Sequence, residues 1–485
     1  MTSVIRDLRP TSVTSAPAHV RRYDLLTAPE SVTYRAFDRR HLAAISLLLA
    51  ALAYPRSADA ETWLLRDETW QIFTDGRVGA FASWALGDGL PQPIYRLGPN
   101  NATIVQQVTA GGWSWPSEKQ QLSDPAFPQE VVLSQGKVNQ LRIRSGYAGL
   151  VLGFGLRNQL TPTTRVVGYF QLWAYTETID QVADRINSPD VRQGFAEIQG
   201  PWGSLLAGRT RPLFSRAAAE IQLDYGYRWN VGYTPPGTSF PTPAEWFAAG
   251  LVYSAPPLVG LTLSIGAFDP TVPGIIGITR SKYPSLEGEL VFEHRFGSRS
   301  RVLLFANALV QKVYKDGYCP PESPASPSPC DGTLAGVGYG GRLEIGRVHL
   351  AFAGHRSVGI EPDYLPEVVD AEVDQLGNLR NLDGYSVRGE VLLGRFDVFG
   401  GASIARVFPT ASDNQRMQVP TDTTSQNEIF LYSLIKNQVG VDIGLVYNLT
   451  GGLYVDLDYS RIQADWYHGE EQVVHVLNCG MGLGW

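Results

Sequence analysis

The last thirteen residues, 473–485, constrain the fold of this chain more than any other stretch. Val473, His475, Leu477, Cys479, Met481, Leu483 and Trp485 occupy one parity, and Val474, Val476, Asn478, Gly480, Gly482 and Gly484 the other. A strand sends successive side chains to opposite faces, so this segment has one mostly apolar face and one small, glycine-rich face. A free strand of this length at the end of a soluble protein is an open edge that invites aggregation. A sheet rolled shut, first strand on last, has no such edge, and an aromatic at its end falls in an interfacial girdle. The expectation is an all-β transmembrane antiparallel barrel with Trp485 as its C-terminal barrel signal.

The bulk numbers agree. The chain has 485 residues, rich in Gly (50) and aromatics (11 Trp, 22 Tyr, 19 Phe), with only 18% charged residues. Its mean hydropathy is −0.10. A helical membrane protein scores well above that, whereas a barrel meets lipid with every second strand residue only. The formal charge of −7 argues against a nucleic-acid partner, which requires a basic patch. The one continuously apolar run, 42–54, is too short to span a bilayer as a helix. It follows Arg39 and Arg40 and precedes Ala58-Asp59-Ala60, a small-x-small cleavage pattern. Residues 1–60 therefore read as an N-terminal extension and signal peptide cut before Glu61, and 61–485 as the barrel. Removing 1–60 takes away eight Arg and five acids and leaves a charge of about −10.

Of three cysteines, Cys319 and Cys330 flank a Pro/Ser-rich loop, and an exported chain meets an oxidising compartment, which makes them a disulfide candidate. Without a neighbouring His they do not complete a zinc site; no metal or other cofactor is expected. Cys479 sits on the apolar parity of the last strand and reads as a small hydrophobe.

From 61 onward the sequence falls into strand pairs: 70–84 alone, then 140–155 with 162–177 joined by Arg157-Asn158-Gln159-Leu160-Thr161, and 193–199 with 204–209. There follow 246–254 with 260–268, 285–296 with 300–314, 333–345 with 347–357, 383–393 with 395–408, and finally 437–448, 453–467 and 472–485. That makes sixteen, with 102–109 and 428–435 as possible extra strands, so that 14 or 18 remain open. Tight turns such as Gly346-Arg347 and Gly394-Arg395 alternate with long connectors rich in Pro, Asp, Asn and Ser, the outer-membrane pattern of short periplasmic turns and long outer loops. In 453–460, Leu453, Val455, Leu457 and Tyr459 alternate with Tyr454, Asp456, Asp458 and Ser460. A basic side chain facing lipid costs about 2–4 kcal/mol at mid-membrane, somewhat more than an acid. The polar parity must face a wet lumen.

Three stretches resemble the general porins of Gram-negative bacteria. They are RIRSGYAGLVLGFGLRNQLTPTTRVVGYFQLW, RQGFAEIQGPWGSLLAGRTRP and AAGLVYSAPPLVGLTLSIGAF, and the terminal aromatic strand is a fourth point of likeness. The chain departs from the family in ending on Trp rather than Phe, in its long 85–139 connector, and in lacking the loop motif PEFG. The resemblance implies a homotrimer of barrels in the outer-membrane lipid. Each would be a passive diffusion channel for ions and small hydrophilic solutes. It also implies that the loop after the fifth strand, 210–243, folds into the lumen and carries Glu220 and Asp224 as the acidic side of a constriction. The basic side would be Arg142, Arg144, Arg165 and Arg209 on the wall. Opposed Arg and carboxylate rings set up a transverse field that orders water and polar solutes, and Arg keeps its charge in any dielectric. Glu287, Glu289, Glu344, Glu390, Asp456 and Asp458 share the lumen parity and pull toward cation preference, leaving the sign of selectivity open.

Two other classes compete. An outer-membrane enzyme would need a nucleophile or an activated water, and neither a G-x-S-x-G elbow nor H-E-x-x-H occurs; no enzymatic activity is expected. A substrate-specific channel, or a ligand-binding or adhesive barrel, would use its long loops, where Trp113 and Trp115 could stack on sugar rings.

Overall fold

Strand after strand repeats the alternation of the carboxyl end, and each leaves backbone donors and acceptors that only a neighbouring strand can satisfy in lipid. The computed structural model describes residues 61–67, 69–88, 109–110, 113–114, 117–122, 129–134, 137–144, 150–174, 190–217, 247–270, 283–297, 300–314, 331–360, 374, 378–417, 435–450, 452–467, 469 and 471–485. The first strands are β1 (Thr62–Arg66), β2 (Trp70–Asp88), β3 (Thr109–Ala110), β4 (Trp113–Ser114), β5 (Ser117–Leu122), β6 (Gln129–Ser134), β7 (Lys137–Arg144) and β8 (Leu150–Thr161). Then come β9 (Thr164–Ala174), β10 (Asp190–Gly200), β11 (Gly203–Thr210), β12 (Ala248–Ser254), β13 (Leu261–Phe268), β14 (Ser285–Arg295) and β15 (Ser300–Tyr314). The last are β16 (Asp331–Ile345), β17 (Val348–Val358), β18 (Asn381–Leu393), β19 (Phe396–Phe408), the helix α1 (Ala411–Met417), β20 (Ile435–Thr450), β21 (Leu453–Trp466) and β22 (Glu471–Gly484).

β7 and β8 occupy successive stretches of the same side of β2, with Phe81↔Arg144 to Asp88↔Lys137 above and Trp70↔Asn158 to Arg77↔Val151 below. Taken together as one position in the wall, they complete a closed antiparallel barrel of sixteen strands. β22 closes it on the other side of β2, from Arg77↔Gly484 to Gly87↔Val474. β1 continues along that same side, from Thr62↔Thr74 to Arg66↔Gln71, so the two ends of the barrel chain share one strand edge. The Trp485 amide donates to the Gly76 carbonyl (3.1 Å) and its carbonyl accepts from the Gly76 amide (3.0 Å). β3–β4 and β5–β6 form small separate sheets within the connector that the sequence left as loop.

Strand bounds mostly follow the sequence reading within a few residues, with corrections at three places. The reading lacks β1, and the one strand expected over 140–155 is two, β7 and β8, each paired with its own stretch of β2. Residues 157–161, expected to turn, are the end of β8, and the turn lies at 162–163. Pro162 ends the ladder there because it has no amide hydrogen to donate. The two-residue turns at Gly346-Arg347 and Gly394-Arg395 place their glycines at φ +61° and +71°, the conformation that hairpin turns of this length demand.

Outward positions carry an apolar belt including Leu290, Leu304, Leu350, Phe352, Ile443, Leu457, Leu477 and Met481, all exposed. A contiguous greasy surface of this extent suits hydrocarbon rather than water. At the short-turn end aromatic pairs rim it. Trp202 stacks on Tyr253 with centroids 6.4 Å apart, and Phe396 meets Tyr447 at 4.7 Å. Amphipathic rings of this kind settle at a membrane–water boundary.

The inner face explains the glycine-rich parity of the last strand. Rings of wall aromatics lie over glycines of neighbouring strands: Phe81 over Gly480, Tyr454 over Gly482, Phe305 over Gly340 and Phe399 over Gly444. Phe81, Phe305, Phe399, Tyr454 and Val446 join in one buried cluster with Leu303, Ala351 and Ala353.

Candidate functional site

Among the described residues, ionisable side chains gather with aromatic ones in the lumen, whose geometry is set where the chain leaves β11. Beyond Thr210 residues 211–217 turn inward, and 213–217 are helical. Leu213 is buried against Ala248, Val252 and Phe268. The Phe214 amide donates to Glu287 Oε2 (2.8 Å), the Asn307 side-chain amide donates to the Phe214 carbonyl (3.0 Å), and the Phe214 ring covers Gly336. Arg216 grips Glu289 through Nε (3.1 Å) and Nη2, and Nη2 also donates to Ser264 Oγ (3.1 Å). Ala217 reaches the aromatic cluster of Phe81, Phe305 and Phe399. At this point of the barrel the wall is acidic and the loop root is basic. Glu289 is 1% exposed against 27% for Arg216. A carboxylate this buried depends on its guanidinium partner, and stripping one member of such a pair is strongly destabilising.

Other inward groups are paired around the wall. Arg388 on β18 extends past Gly401 on β19 to Asp442 on β20, with Nη2 2.8 Å from Oδ2. Toward the short-turn end, Arg301 lies between Glu293 (3.0 Å) and Glu344 (3.8 Å), and Arg342 reaches Glu344 (2.8 Å). His349 meets Glu390 at 3.0 Å, and Asn448 donates to Asp397 at 2.7 Å. This ladder of alternating sign runs from β14 to β20. Among the described residues no three His, Cys, Asp or Glu side chains gather as a metal site.

A second device sits at the long-loop end. Thr410 caps α1: the Asp413 amide donates to Thr410 Oγ1 (3.0 Å) and the Thr410 amide donates back to Asp413 Oδ2 (2.9 Å), a reciprocal capping box. Arg380, just ahead of β18, takes the same carboxylate with both arms, Nε to Oδ2 at 2.8 Å and Nη2 to Oδ1 at 3.2 Å. Thr410 Oγ1 also donates to Asp374 (2.6 Å). Burial pushes the Asp413 carboxyl up, but the Arg380 guanidinium and the Thr410 donors outweigh it and hold it below the ordinary carboxylate range. Nearby, burial raises the Tyr467 phenol, against the pull of Arg380; its hydroxyl donates to the Val407 carbonyl (2.6 Å).

A lowered folded-state value means that the clasp contributes stability above the unfolded-state value and loses it as pH falls through the folded one. Amide exchange over 411–417 is therefore expected to accelerate below pH ~4. In Asp413→Asn it should already be fast at neutral pH and change little on acidification. Equal protection in both proteins at neutral pH would remove Asp413 from the clasp.

The residues singled out in the sequence separate. Arg142 and Arg144 stand in backbone register opposite Ser83 and Phe81 of β2. Arg165 has lumen parity but stands at the first turn of β9, bonded to Gln199 at the rim. Arg209 departs from the expected cluster: it is exposed on the outward parity of β11 with Leu205 and Ala207, paired with Gly194 and Ala249. Glu220, Asp224, Cys319 and Cys330 lie outside the described residues. Glu287, Glu289, Glu390, Asp456 and Asp458 are buried on the inner face, and Glu344 is partly buried there. The sequence reading missed Arg216, the residue that meets the acidic wall. It lies in the loop already assigned to the lumen, so only its sign within that loop could have marked it.

No family model matches the chain, and no curated protein sequence does. Solved structures do match. The outer membrane channel DcaP of Acinetobacter baumannii is 13% identical with a TM-score of 0.56, covering 87% of this chain and 99% of that one. An anion-selective porin from Comamonas acidovorans is 9% identical with a TM-score of 0.50, covering 86% of this chain and 100% of that one. At such identities the likeness is one of fold, and in fold this chain is a sixteen-stranded barrel of the kind built by Gram-negative outer-membrane porins.

Proposed function

We propose that the chain forms a water-filled passive channel in the Gram-negative outer membrane, open to ions and small hydrophilic solutes. The observation that carries this reading is the inward root of the loop after β11, fixed to the opposite sign of charge on the wall through Arg216 and Glu289. A segment that folds inward narrows a barrel, and paired charges at the narrowing act on polar solutes through their field. The rest of the loop, with Glu220 and Asp224, completes the constriction opposite Arg142 and Arg144. The signal segment ahead of Glu61 delivers the chain for export, and the barrels assemble as homotrimers, as porin resemblance implies.

Single-channel recording in planar bilayers, with reversal potentials in a salt gradient, tests this. Arg142→Ala with Arg144→Ala is expected to shift the reversal potential toward cations, whereas Arg209→Ala, outside the lumen, is expected to leave it in place. Films that carry no current with the purified barrel would end the channel reading. Saturable flux, with block by one solute, would favour a substrate-specific channel instead.

A further inference from the structure

Near the long-loop end the outward face of β15 to β19 turns polar, each time two residues from the end of the strand. Lys312 on β15 donates to Thr333 Oγ1 on β16 (2.8 Å). Arg356 on β17, Asp383 on β18 and Arg406 on β19 follow one another in register. Arg356 shares its parity with Leu350 and Phe352 of the apolar belt, so it points away from the lumen. Asp383 stands between two arginines and takes one of them: Arg406 Nε donates to Oδ1 (2.7 Å) and Nη2 to Oδ2 (2.8 Å). Arg356 is exposed and bonds to no other side chain among the described residues.

Below this row, toward mid-membrane, lies an aromatic floor. Gly354, on the same face of β17 as Arg356, stands in register between Tyr339 of β16 and Tyr385 of β18. A Cβ on it would come within 2.9 Å of the Tyr385 ring and 3.1 Å of the Tyr339 ring, so the glycine is what lets the two rings converge. The Tyr385 hydroxyl donates toward Asp383 (3.4 Å). The Arg406 guanidinium lies 5.6 Å from the Tyr385 centroid and 5.7 Å from that of Phe408. Outward tyrosines settle at headgroup level, so the row just beyond them stands where hydrocarbon ends. Asp383 is committed to Arg406, which leaves Arg356 a cation at an apolar boundary without a carboxylate. The anion found at that depth is a lipid phosphate, and a guanidinium meets phosphate with paired, charge-assisted N–H donors. The Arg406 side chain, still 42% exposed beside its carboxylate, adds a second positive group to the same spot.

We propose that Arg356, with Arg406 beside it and the Tyr339–Tyr385 floor below, docks the phosphate headgroup of a lipid on the outer wall of the barrel. The inference needs the barrel to lie in a bilayer, but not to conduct. The probe is dioleoyl phosphatidic acid, titrated into the folded barrel in neutral detergent and counted by native mass spectrometry. Dioleoyl phosphatidylcholine serves as the lipid whose phosphate is masked by a choline, and inorganic phosphate as the free anion. Phosphatidic acid should be retained several-fold more tightly than phosphatidylcholine, and inorganic phosphate at the same concentration should not displace it. Arg356→Ala should weaken retention by about tenfold, the usual effect of losing a charge-assisted pair, and Arg356→Lys should recover only part of it. Because Arg356 is exposed and unbonded to other described residues, neither change should disturb folding. Arg209→Ala removes an outward arginine whose strand neighbours are Gly194 and Ala249, and it should leave retention unchanged. Equal retention of the two lipids, displacement by inorganic phosphate, unchanged retention in Arg356→Ala, or an equal loss in Arg209→Ala would each overturn the proposal. So would loss of oligomer mass in Arg356→Ala with lipid retention intact, which would assign the face to a second copy of the chain. A barrel that conducts but keeps no lipid loses the dock and remains a channel; one that keeps the lipid but carries no current does the reverse.

Discussion

Replacing Gly480 with leucine is expected to leave the barrel unable to close. Gly480 sits on β22 opposite Phe81 of β2, at the seam where β22 meets β2. A Cβ there would overlap the Phe81 ring and come within 2.5 Å of the Ala80 carbonyl oxygen. The ring could rotate away; the backbone oxygen belongs to the ladder and cannot move without opening it. Even alanine should cost about 1–3 kcal/mol, the usual range for overpacking, and the leucine more. Phe81→Leu should restore part of the loss in the alanine variant by freeing the ring's space, but not the part due to the carbonyl. The check is the temperature at which the detergent-refolded barrel loses β-sheet circular dichroism and its compact electrophoretic form. A leucine variant that melts with the wild type would mean that Phe81 does not occupy this glycine.

Arg216→Ala should change both conduction and order. Its removal leaves Glu289 buried without its partner beside Glu287, a loss of about 3 kcal/mol by the measure of other broken buried pairs. The loop root is then expected to swing off the wall and let water reach Glu289. That raises conductance and moves the reversal potential toward cations, since Glu287 and Glu289 then stand bare in the lumen. Arg216→Lys keeps the charge without the two-armed grip and should fall between wild type and alanine. Wild-type conductance and selectivity in Arg216→Ala would take this latch out of the constriction.

Much of the fold was legible because a barrel in lipid leaves so little choice. Each strand must alternate, and each short turn needs residues such as Gly346 and Gly394, so parity and turn chemistry led to sixteen strands, with 14 or 18 still open. The error at 157–161 arose because Asn158 and Gln159 look like turn residues, although in register they face Val166 and Arg165 of β9. The site was less legible. Arg209 was placed on the wall by its neighbourhood in sequence, but β11 has only eight residues and its parity is fixed by Leu205 facing out, which puts the guanidinium outside. The latch depends on contacts between residues 73 apart, Arg216 with Glu289, and no local pattern announces such a pairing. The glycine-rich parity of β22 was visible, but its reason, aromatic rings seated from other strands, lies in the packing.

The shared strand edge at the two ends of the barrel chain bears on how the molecule comes into being. Most of the wall is built from strands adjacent along the polypeptide, so those hairpins can form early and locally. Joining Ser83 to Asn478 links residues 395 apart, and such distant encounters are slow because the entropy of the intervening chain opposes them. Until that moment the growing sheet exposes two unpaired flanks, each able to recruit a stranger. The rate of zipping at β2 and β22, rather than the strength of any hairpin, should then decide whether a newly made copy matures or clumps.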